Sequence, residues 1–136
     1  MKAYPSILVL LFTALLLSGC AEPPYTNVDN QGLKALMAQG VPLYDVRRPE
    51  EWRQTGVIEG SRLLTYVDAR GRLNPELLPR LEAEAPKDAP IALICRTGNR
   101  TESLARQLAE LGYKRIYNVR DGITRWVAEG NPVDRP

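Results

Sequence analysis

Short apolar runs alternate with segments of helical composition along most of this chain. The apolar runs predict strands at Val41–Val46, Ser61–Tyr66, Ile91–Ile94 and Ile116–Val119. Helices are predicted from an Asp29 cap to Gln39 and over Pro49–Gln54, Pro75–Ala85, Thr101–Leu111 and Ile123–Ala128. Strands that alternate with helices form βαβ units, so we expect an α/β protein whose parallel sheet is covered by helices on both faces.

Length and composition exclude several classes of protein. The 136 residues suit one globular domain. The chain has no histidine, which rules out histidine-assisted nucleophiles and histidine-containing metal sites, and two cysteines are too few for a cysteine-only structural zinc site. With 18 basic and 16 acidic residues, a net charge of +2 and no basic stripe, the sequence carries no nucleic-acid footprint.

The N-terminal segment is typical of a targeting signal. Lys2 provides a short positive region, and the apolar run Ile7–Leu17 is shorter than a membrane-spanning helix requires. The run ends in Leu17-Ser18-Gly19-Cys20, which resembles the lipobox of bacterial lipoproteins. That resemblance implies removal of residues 1–19 and lipidation of Cys20. The alternative is an ordinary secretory signal with a chance cysteine.

A lipidated Cys20 has consequences for location and for the second cysteine. The domain is then expected in the periplasm of the bacterial cell envelope, held on the membrane by its lipid anchor. Ala21, rather than aspartate, follows the cysteine, which resembles an outer-membrane rather than an inner-membrane sorting signal. A lipid-linked Cys20 cannot pair with Cys95, so the domain carries a single thiol in an oxidising compartment.

Cys95 follows the predicted strand Ile91–Ile94 and opens a polar loop, RTGNRT, before the next helix. Ligands of parallel sheets bind outside the carboxyl ends of the strands, where Asp45 also lies. Gly98 allows a tight loop whose amide groups converge on the sulfur, and the two loop arginines add positive charge. This environment favours a nucleophilic thiolate at Cys95. A buried packing cysteine is the alternative, and the polar loop argues against it.

The spacing within the loop separates two chemistries that use a cysteine in such a cradle. The tyrosine-phosphatase signature has five residues between cysteine and arginine, and a histidine before the cysteine. Here four residues separate Cys95 from Arg100, and Ile94 precedes the cysteine. The smaller ring fits a sulfur atom on Cys95 better than a tetrahedral phosphoryl group.

Four stretches of the sequence resemble the rhodanese family in order and spacing. CRTGNRT, Cys95–Thr101, resembles the active-site loop of that family, and YDVRRPEEW, Tyr44–Trp52, resembles the segment after its second strand. GVIEGS, Gly56–Ser61, is similar to its Gly-His-Ile-x-Gly-Ala element, and LGYKRIYNVRDGITRW, Leu111–Trp126, is similar to its closing pattern.

The match to the family patterns has three departures. Val57 stands where histidine is usual, Ser61 stands where alanine is usual, and Asp121 replaces the first glycine of a Gly-Gly pair. The resemblance implies a rhodanese-like fold of three layers with a central parallel sheet of about five strands. It divides the chain into a signal peptide (1–19), a tether (20–27), a rhodanese-like domain (28–132) and a C-terminal tail (133–136).

The resemblance also implies roles for the loop residues. Cys95 is the sulfur acceptor and forms a persulfide. The loop backbone amides stabilise the anionic sulfurs; they belong to Arg96, Thr97, Gly98, Asn99 and Arg100. The Arg96 side chain holds an anionic donor, and Arg100 braces the loop.

Residues outside the loop are expected to support it. Thr101 is expected to cap the following helix. Asp45 is expected to orient the loop by hydrogen bonds, and Arg47 is placed to pair with Glu51.

The implied activity is sulfur transfer from thiosulfate or a persulfide to cyanide, a cellular thiol or a protein acceptor. Neither a metal nor an organic cofactor is required. A carrier or sensing module of the cell envelope, with the same loop and little turnover, is a second hypothesis. A phosphatase or arsenate reductase is a third, and the loop length disfavours it.

Overall fold

A five-stranded, wholly parallel sheet forms the centre of the structure, a computed structural model that describes Met1 and residues 19–136. The strands are β1 (Thr26–Val28), β2 (Leu43–Asp45), β3 (Arg62–Leu63), β4 (Ile91–Ile94) and β5 (Ile116–Val119), in the order β1-β5-β4-β2-β3. The helices are α1 (Asn30–Ala38), α2 (Pro49–Thr55), α3 (Leu77–Glu84), α4 (Asn99–Glu110) and α5 (Gly122–Ala128). Residues 2–18 of the predicted leader, which include Lys2 and Ile7–Leu17, lie outside the described residues.

The central strand β4 is apolar throughout because both of its faces are covered. Ile91 and Leu93 belong to a core cluster that includes Leu81 of α3 and Leu104 and Leu108 of α4. The alternate residues, Ala92 and Ile94, pack in a second cluster with Leu33 of α1 and with Ile123 and Trp126 of α5. Successive side chains of a strand point to opposite faces, so one four-residue run contributes to both cores. The expected three-layer α/β fold is confirmed.

The tether before the domain is shorter than the sequence predicts. Thr26 and Asn27, assigned to the tether 20–27, belong to β1, which pairs with β5 along its whole length. The helix after it begins where the sequence predicts, because Asp29 accepts a hydrogen bond from Gly32 N at 2.8 Å. The fold therefore begins by residue 26 rather than at residue 28.

The predicted C-terminal tail is also partly folded. Val57 and Asp134 exchange two backbone hydrogen bonds of 2.8 Å, and the Val133 side chain packs against the core cluster around Trp126. Residues 133 and 134 thus close the domain against the segment after α2. In the part of the chain that the structure describes, none of the helices is both long enough and apolar enough to cross a bilayer.

Candidate active site

Cys95 lies at the carboxyl edge of the sheet, directly after β4, and is 1% exposed. The Gly98 amide donates a hydrogen bond to the sulfur, with N to Sγ at 3.1 Å. Around it the side chains of Arg96, Thr97 and Asn99 are exposed, so the loop covers the sulfur and presents polar groups outward. In residues 19–136, the Gly98 amide is the one loop amide that donates a hydrogen bond to Sγ, whereas the sequence predicts that several loop amides converge on it.

Two glycines allow the Cys95 loop to contact the turn after β5. Gly98 has a φ of 100°, and a Cβ at this position would overlap the carbonyl oxygen of Arg120. Gly122 has a φ of 62°, and a Cβ there would overlap the carbonyl group of Arg96. Both positions need a left-handed backbone and an absent side chain, which only glycine provides.

The first turn of α5 fixes the orientation of the loop peptides. Ile123 N donates to the Cys95 carbonyl at 2.9 Å, and Thr124 N donates to the Arg96 carbonyl at 3.1 Å. These bonds satisfy otherwise unpaired helix N-terminal amides. They also hold the two carbonyls away from the sulfur. Sequence reasoning missed this role of α5; the signal was Gly122, the retained second glycine of the family's Gly-Gly pair.

Arg100 is anchored by Glu51 in α2. The two form a bidentate pair, with Arg100 Nη2 to Glu51 Oε1 at 2.6 Å and Nη1 to Oε2 at 2.7 Å. Burial favours a higher pKa for Glu51, but hydrogen bonds from Arg100 and from the Arg48 amide outweigh it and lower the pKa to about 2. The hydrogen bond to Glu51 raises the pKa of Arg100, and the nearby charge of Cys95 acts in the same direction.

The expected pair between Arg47 and the Glu51 carboxylate is wrong. Arg47 is fully buried and pairs with Asp45 instead, with Nη2 to Oδ2 at 2.7 Å, while it reaches Glu51 only at the backbone carbonyl. Asp45 also accepts hydrogen bonds from the Arg47 amide and from Trp52 Nε1, at 3.1 Å each. The two-residue separation lets the aspartate fold back onto the amide that follows the strand, as in an Asx-turn.

Asp45 therefore does not bind the loop directly, contrary to expectation. Within the described residues, the hydrogen bonds of its carboxylate go to Arg47 and Trp52. Its influence on the loop is electrostatic, since its charge contributes to the raised pKa of Arg100. Asp45 and Arg47 support the strand end from which the site is built.

Thr101 is not the helix cap that the sequence suggests. The helix begins at Asn99, with Gly98 as the capping residue, so Thr101 is the third helical residue. Its hydroxyl oxygen is fully buried and lies 2.9 Å from the Gly98 carbonyl and 2.6 Å from Asn118 Oδ1. The same oxygen is 3.4 Å from Cys95 Sγ. Thr101 thus contacts the Cys95 sulfur directly.

The side chain of Arg96 places a positive charge at the rim of the loop. Its side chain is exposed, and it has no ion-pair partner in the chain from residue 19 onward. Arg120, which follows β5, lies 3.7 Å from Asp121 in an exposed pair. In residues 19–136, no three histidine, cysteine, aspartate or glutamate side chains are grouped to hold a metal ion.

A cysteine loop at the carboxyl edge of a five-stranded parallel sheet, sealed by the helix after the last strand, defines the class of rhodanese-like domains. The model of the rhodanese-like domain family matches residues 29–129, and the chain belongs to this family. The match covers the site and every helix and strand except β1.

Relatives with the same fold include proteins named as sulfurtransferases. The chain is 30% identical over 112 residues to a sulfurtransferase of Allochromatium vinosum, covering 81% of this chain and 95% of the relative. It is 24% identical over 103 residues to the thiosulfate sulfurtransferase GlpE of Tolumonas auensis, covering 75% and 88%. The crystal structure of a rhodanese-related protein from Thermoplasma volcanium superposes with a TM-score of 0.64 at 26% identity, covering 82% of this chain and all of that one.

Proposed function

We propose that this protein transfers sulfane sulfur through a persulfide on Cys95. The Cys95 thiolate attacks the outer sulfur of thiosulfate or of a persulfide donor, and a new S–S bond forms as the donor's S–S bond breaks. With thiosulfate, sulfite leaves with the bonding electron pair. Cyanide or a thiolate then attacks the outer sulfur of the persulfide, which releases thiocyanate or a new persulfide and restores the Cys95 thiolate.

The observation that carries this proposal is the bond from Gly98 N to Cys95 Sγ in a loop bordered by arginines. A backbone N–H donor stabilises negative charge on sulfur without the cost of ordering a flexible side chain. The exposed Arg96 suits attraction of a doubly charged donor such as thiosulfate. The relatives named as sulfurtransferases add support from comparison.

The mass of the protein tests the proposal directly. The chain from residue 20, with Cys20→Ser, contains every described helix and strand and a single thiol. After reduction and incubation with thiosulfate it should gain about 32 Da, one sulfur atom, and cyanide should remove that mass as thiocyanate. Cys95→Ser, which replaces the thiol by a hydroxyl, should fold equally well and gain nothing. A folded, reduced wild-type domain that takes up no sulfur from thiosulfate or from a small persulfide contradicts the proposal.

A carrier for a protein acceptor is the second candidate, and the exposed polar side chains of Arg96, Thr97 and Asn99 around Cys95 favour it, since they offer such an acceptor a docking surface. A carrier forms the same adduct but returns it slowly to cyanide or to small thiols. Steady-state turnover with cyanide therefore separates the two: an enzyme turns over repeatedly, and a carrier stops after one sulfur.

We further propose that Cys20 anchors the domain in the bacterial envelope, on the outer membrane rather than the inner. The support is the Leu17-Ser18-Gly19-Cys20 sequence after an apolar run, together with an exposed Cys20 close before the first strand. Cells fed a labelled fatty acid should label the full-length protein, and Cys20→Ala should abolish the label and release the protein from the membrane fraction. A single acyl chain binds membranes only marginally, so a stable anchor requires several. Normal processing and membrane retention of Cys20→Ala exclude the anchor.

A further inference from the structure

The Thr101 hydroxyl has more hydrogen-bond acceptors within reach than it can serve. A hydroxyl carries one proton, yet Gly98 O, Asn118 Oδ1 and Cys95 Sγ lie 2.9, 2.6 and 3.4 Å from Thr101 Oγ1. Gly98 O does not depend on Thr101, because the Glu102 amide also donates to it at 3.0 Å. The proton is therefore divided between Asn118 and the sulfur, and Asn118 is the nearer.

Asn118 continues the chain of hydrogen bonds to the edge of the sheet. It is 3% exposed, and its Nδ2 donates to Asn27 Oδ1 at 2.9 Å. Asn27 and Asn118 are directly paired residues of the parallel strands β1 and β5. Asn27 is exposed to solvent. One polar chain thus runs from Cys95 Sγ through Thr101 and Asn118 to the surface at Asn27.

The hydrogen bonds that link Cys95, Thr101, Asn118 and Asn27 can run in either of two directions. Both directions use the same positions for the donor and acceptor atoms. With a Cys95 thiol, the S–H donates to Thr101 Oγ1, whose proton points to Asn118 Oδ1, and Asn118 Nδ2 donates to Asn27. With a thiolate or persulfide, the Thr101 proton must point to Sγ. Asn118 then satisfies Thr101 only if its amide turns over, which places Nδ2 toward Thr101 and Oδ1 toward Asn27. Asn27 is able to turn in response because its amide offers both a donor and an acceptor at the surface.

We propose that Asn118 and Asn27 are positioning residues, whose paired amides reverse to let Thr101 donate to the Cys95 sulfur when it is anionic. No proton moves along the chain: the thiol proton leaves to solvent, the hydroxyl rotates, and each amide turns about its own axis. This inference deepens the proposed function, since both the attacking thiolate and the persulfide carry their charge at this site. It also gives a role to β1, the strand that the sequence pattern does not reveal.

Substitution of Asn27 leaves the charged side chains around Cys95 unchanged. They are Arg96 and Arg100 in the loop, Glu51 bound to Arg100 from α2, the Asp45–Arg47 pair after β2, and Arg120 and Asp121 after β5. Any change in the ionisation of Cys95 on altering Asn27 is then due to the hydrogen-bond chain or to the charge that the variant itself adds.

Asn27→Asp tests the reversal. A carboxylate at position 27 accepts a hydrogen bond but cannot donate one, so it holds Asn118 in the direction that belongs to the thiol. The matched control is Thr26→Asp, which adds the same charge to the same exposed strand on the opposite face of the sheet. Thiolate absorbance is followed against pH in the Cys20→Ser chain from residue 20, with Cys95→Ser as the blank.

We expect Asn27→Asp to move the midpoint of thiolate formation upward by about one pH unit, roughly tenfold in thiolate fraction below the midpoint. Thr26→Asp should move it by less than half as much. In a Thr101→Val background, Asn27→Asp should lose its excess over the control, whereas Thr101→Ser should preserve it.

Equal shifts for Asn27→Asp and Thr26→Asp, or an excess shift that survives in Thr101→Val, overturn the inference. Asn27 is exposed, so its replacement should leave the fold intact, which the circular dichroism spectrum checks. The titration needs no sulfur transfer. A protein that takes up no sulfur but shows the expected shifts would therefore contradict the proposed function and leave the hydrogen-bond chain standing.

Discussion

The Glu51 carboxylate and the Arg100 guanidinium bind each other through two hydrogen bonds, of 2.6 and 2.7 Å, between the first turns of two helices. Glu51 is 8% exposed in its side chain and Arg100 24%, so water competes only weakly for the pair. Because Arg100 lies in the first turn of α4, directly after the Cys95 loop, this pair ties the end of the loop to α2. The position of the Cys95 loop therefore depends on a contact with α2.

Replacing Glu51 by glutamine should destabilise the protein and impair the loop. Glutamine has the shape of the carboxylate but offers one acceptor and no charge, so we expect a loss of about 2 kcal/mol in the free energy of unfolding. Urea denaturation measures this loss, and intact mass measures the rate of sulfur uptake, which should fall. Glu82→Gln is the control, because the Glu82–Lys87 pair is half exposed and 3.7 Å long, and its loss should be nearly neutral. Equal effects of the two changes would refute the role of the pair.

The Glu51–Arg100 pair should make the stability of the protein depend on pH. The pKa of Glu51 falls from its ordinary value of 4.5 to about 2 in the folded protein. A carboxyl group with a lowered folded pKa stabilises the fold above its unfolded pKa, and this contribution disappears as the pH falls toward the folded value. The stability advantage of the wild type over Glu51→Gln should thus be constant from about pH 7 to about pH 5 and shrink steadily below. An advantage unchanged at about pH 3 would contradict the assignment.

Replacing Gly98 should be harmful because a side chain there would collide with the Arg120 carbonyl. Gly71 serves as a control that shares the left-handed backbone but not this contact. Gly98 and Gly71 both have a left-handed backbone, with φ of 100° and 77°, but a Cβ at Gly71 meets nothing within 4 Å, while one at Gly98 meets the Arg120 carbonyl. Gly71→Ala should cost about 1 kcal/mol of unfolding free energy. Gly98→Ala should cost clearly more and abolish sulfur uptake, because the loop must move away from β5. Similar stability and uptake in the two variants would mean that the contact is dispensable.

Arg96 should matter for the capture of anionic donors. We expect Arg96→Ala to raise the Michaelis constant for thiosulfate about fivefold, close to 1 kcal/mol, as befits an exposed charge in water. Added salt should weaken the wild type in the same direction. Arg72→Ala is the control, since Arg72 is exposed and pairs with Asp68 in a different loop. Unchanged thiosulfate kinetics in Arg96→Ala would assign the residue to loop support instead.

Sequence patterns predict the central strands best. The bounds of β4 and β5 agree with the predicted ones, because buried apolar runs between turn residues leave few alternatives. β1 was missed because Thr26-Asn27-Val28 is short and mostly polar, and it becomes a strand only by pairing with β5. Local propensity carries no information about a partner 91 residues away in the chain.

Among the site residues, the place of the loop after β4 could be predicted, but its supports could not, nor that Gly98 alone of its described amides donates to the sulfur. Cys95 and Gly98 are marked by chemistry and by position after a strand, and the structure places them in contact. The predicted ion-pair partner of Arg47 was wrong. Helical spacing suggests Glu51, whereas the turn after β2 brings Asp45 closer. The contact of Thr101 with Asn118 joins two elements, and no local spacing encodes it.

All five strands point the same way, which fixes where Cys95 lies relative to the start of the fold. β1 begins at Thr26, at the end of the sheet opposite to Cys95. Cys20 lies six residues before Thr26 in the sequence. That stretch of chain spans at most about 20 Å. A lipid on Cys20 would therefore hold the entry edge of the sheet against the bilayer and turn the sulfur toward the aqueous side. If Cys95 transfers sulfur as proposed, its donors and acceptors would then be molecules dissolved in the surrounding compartment rather than molecules embedded in the lipid.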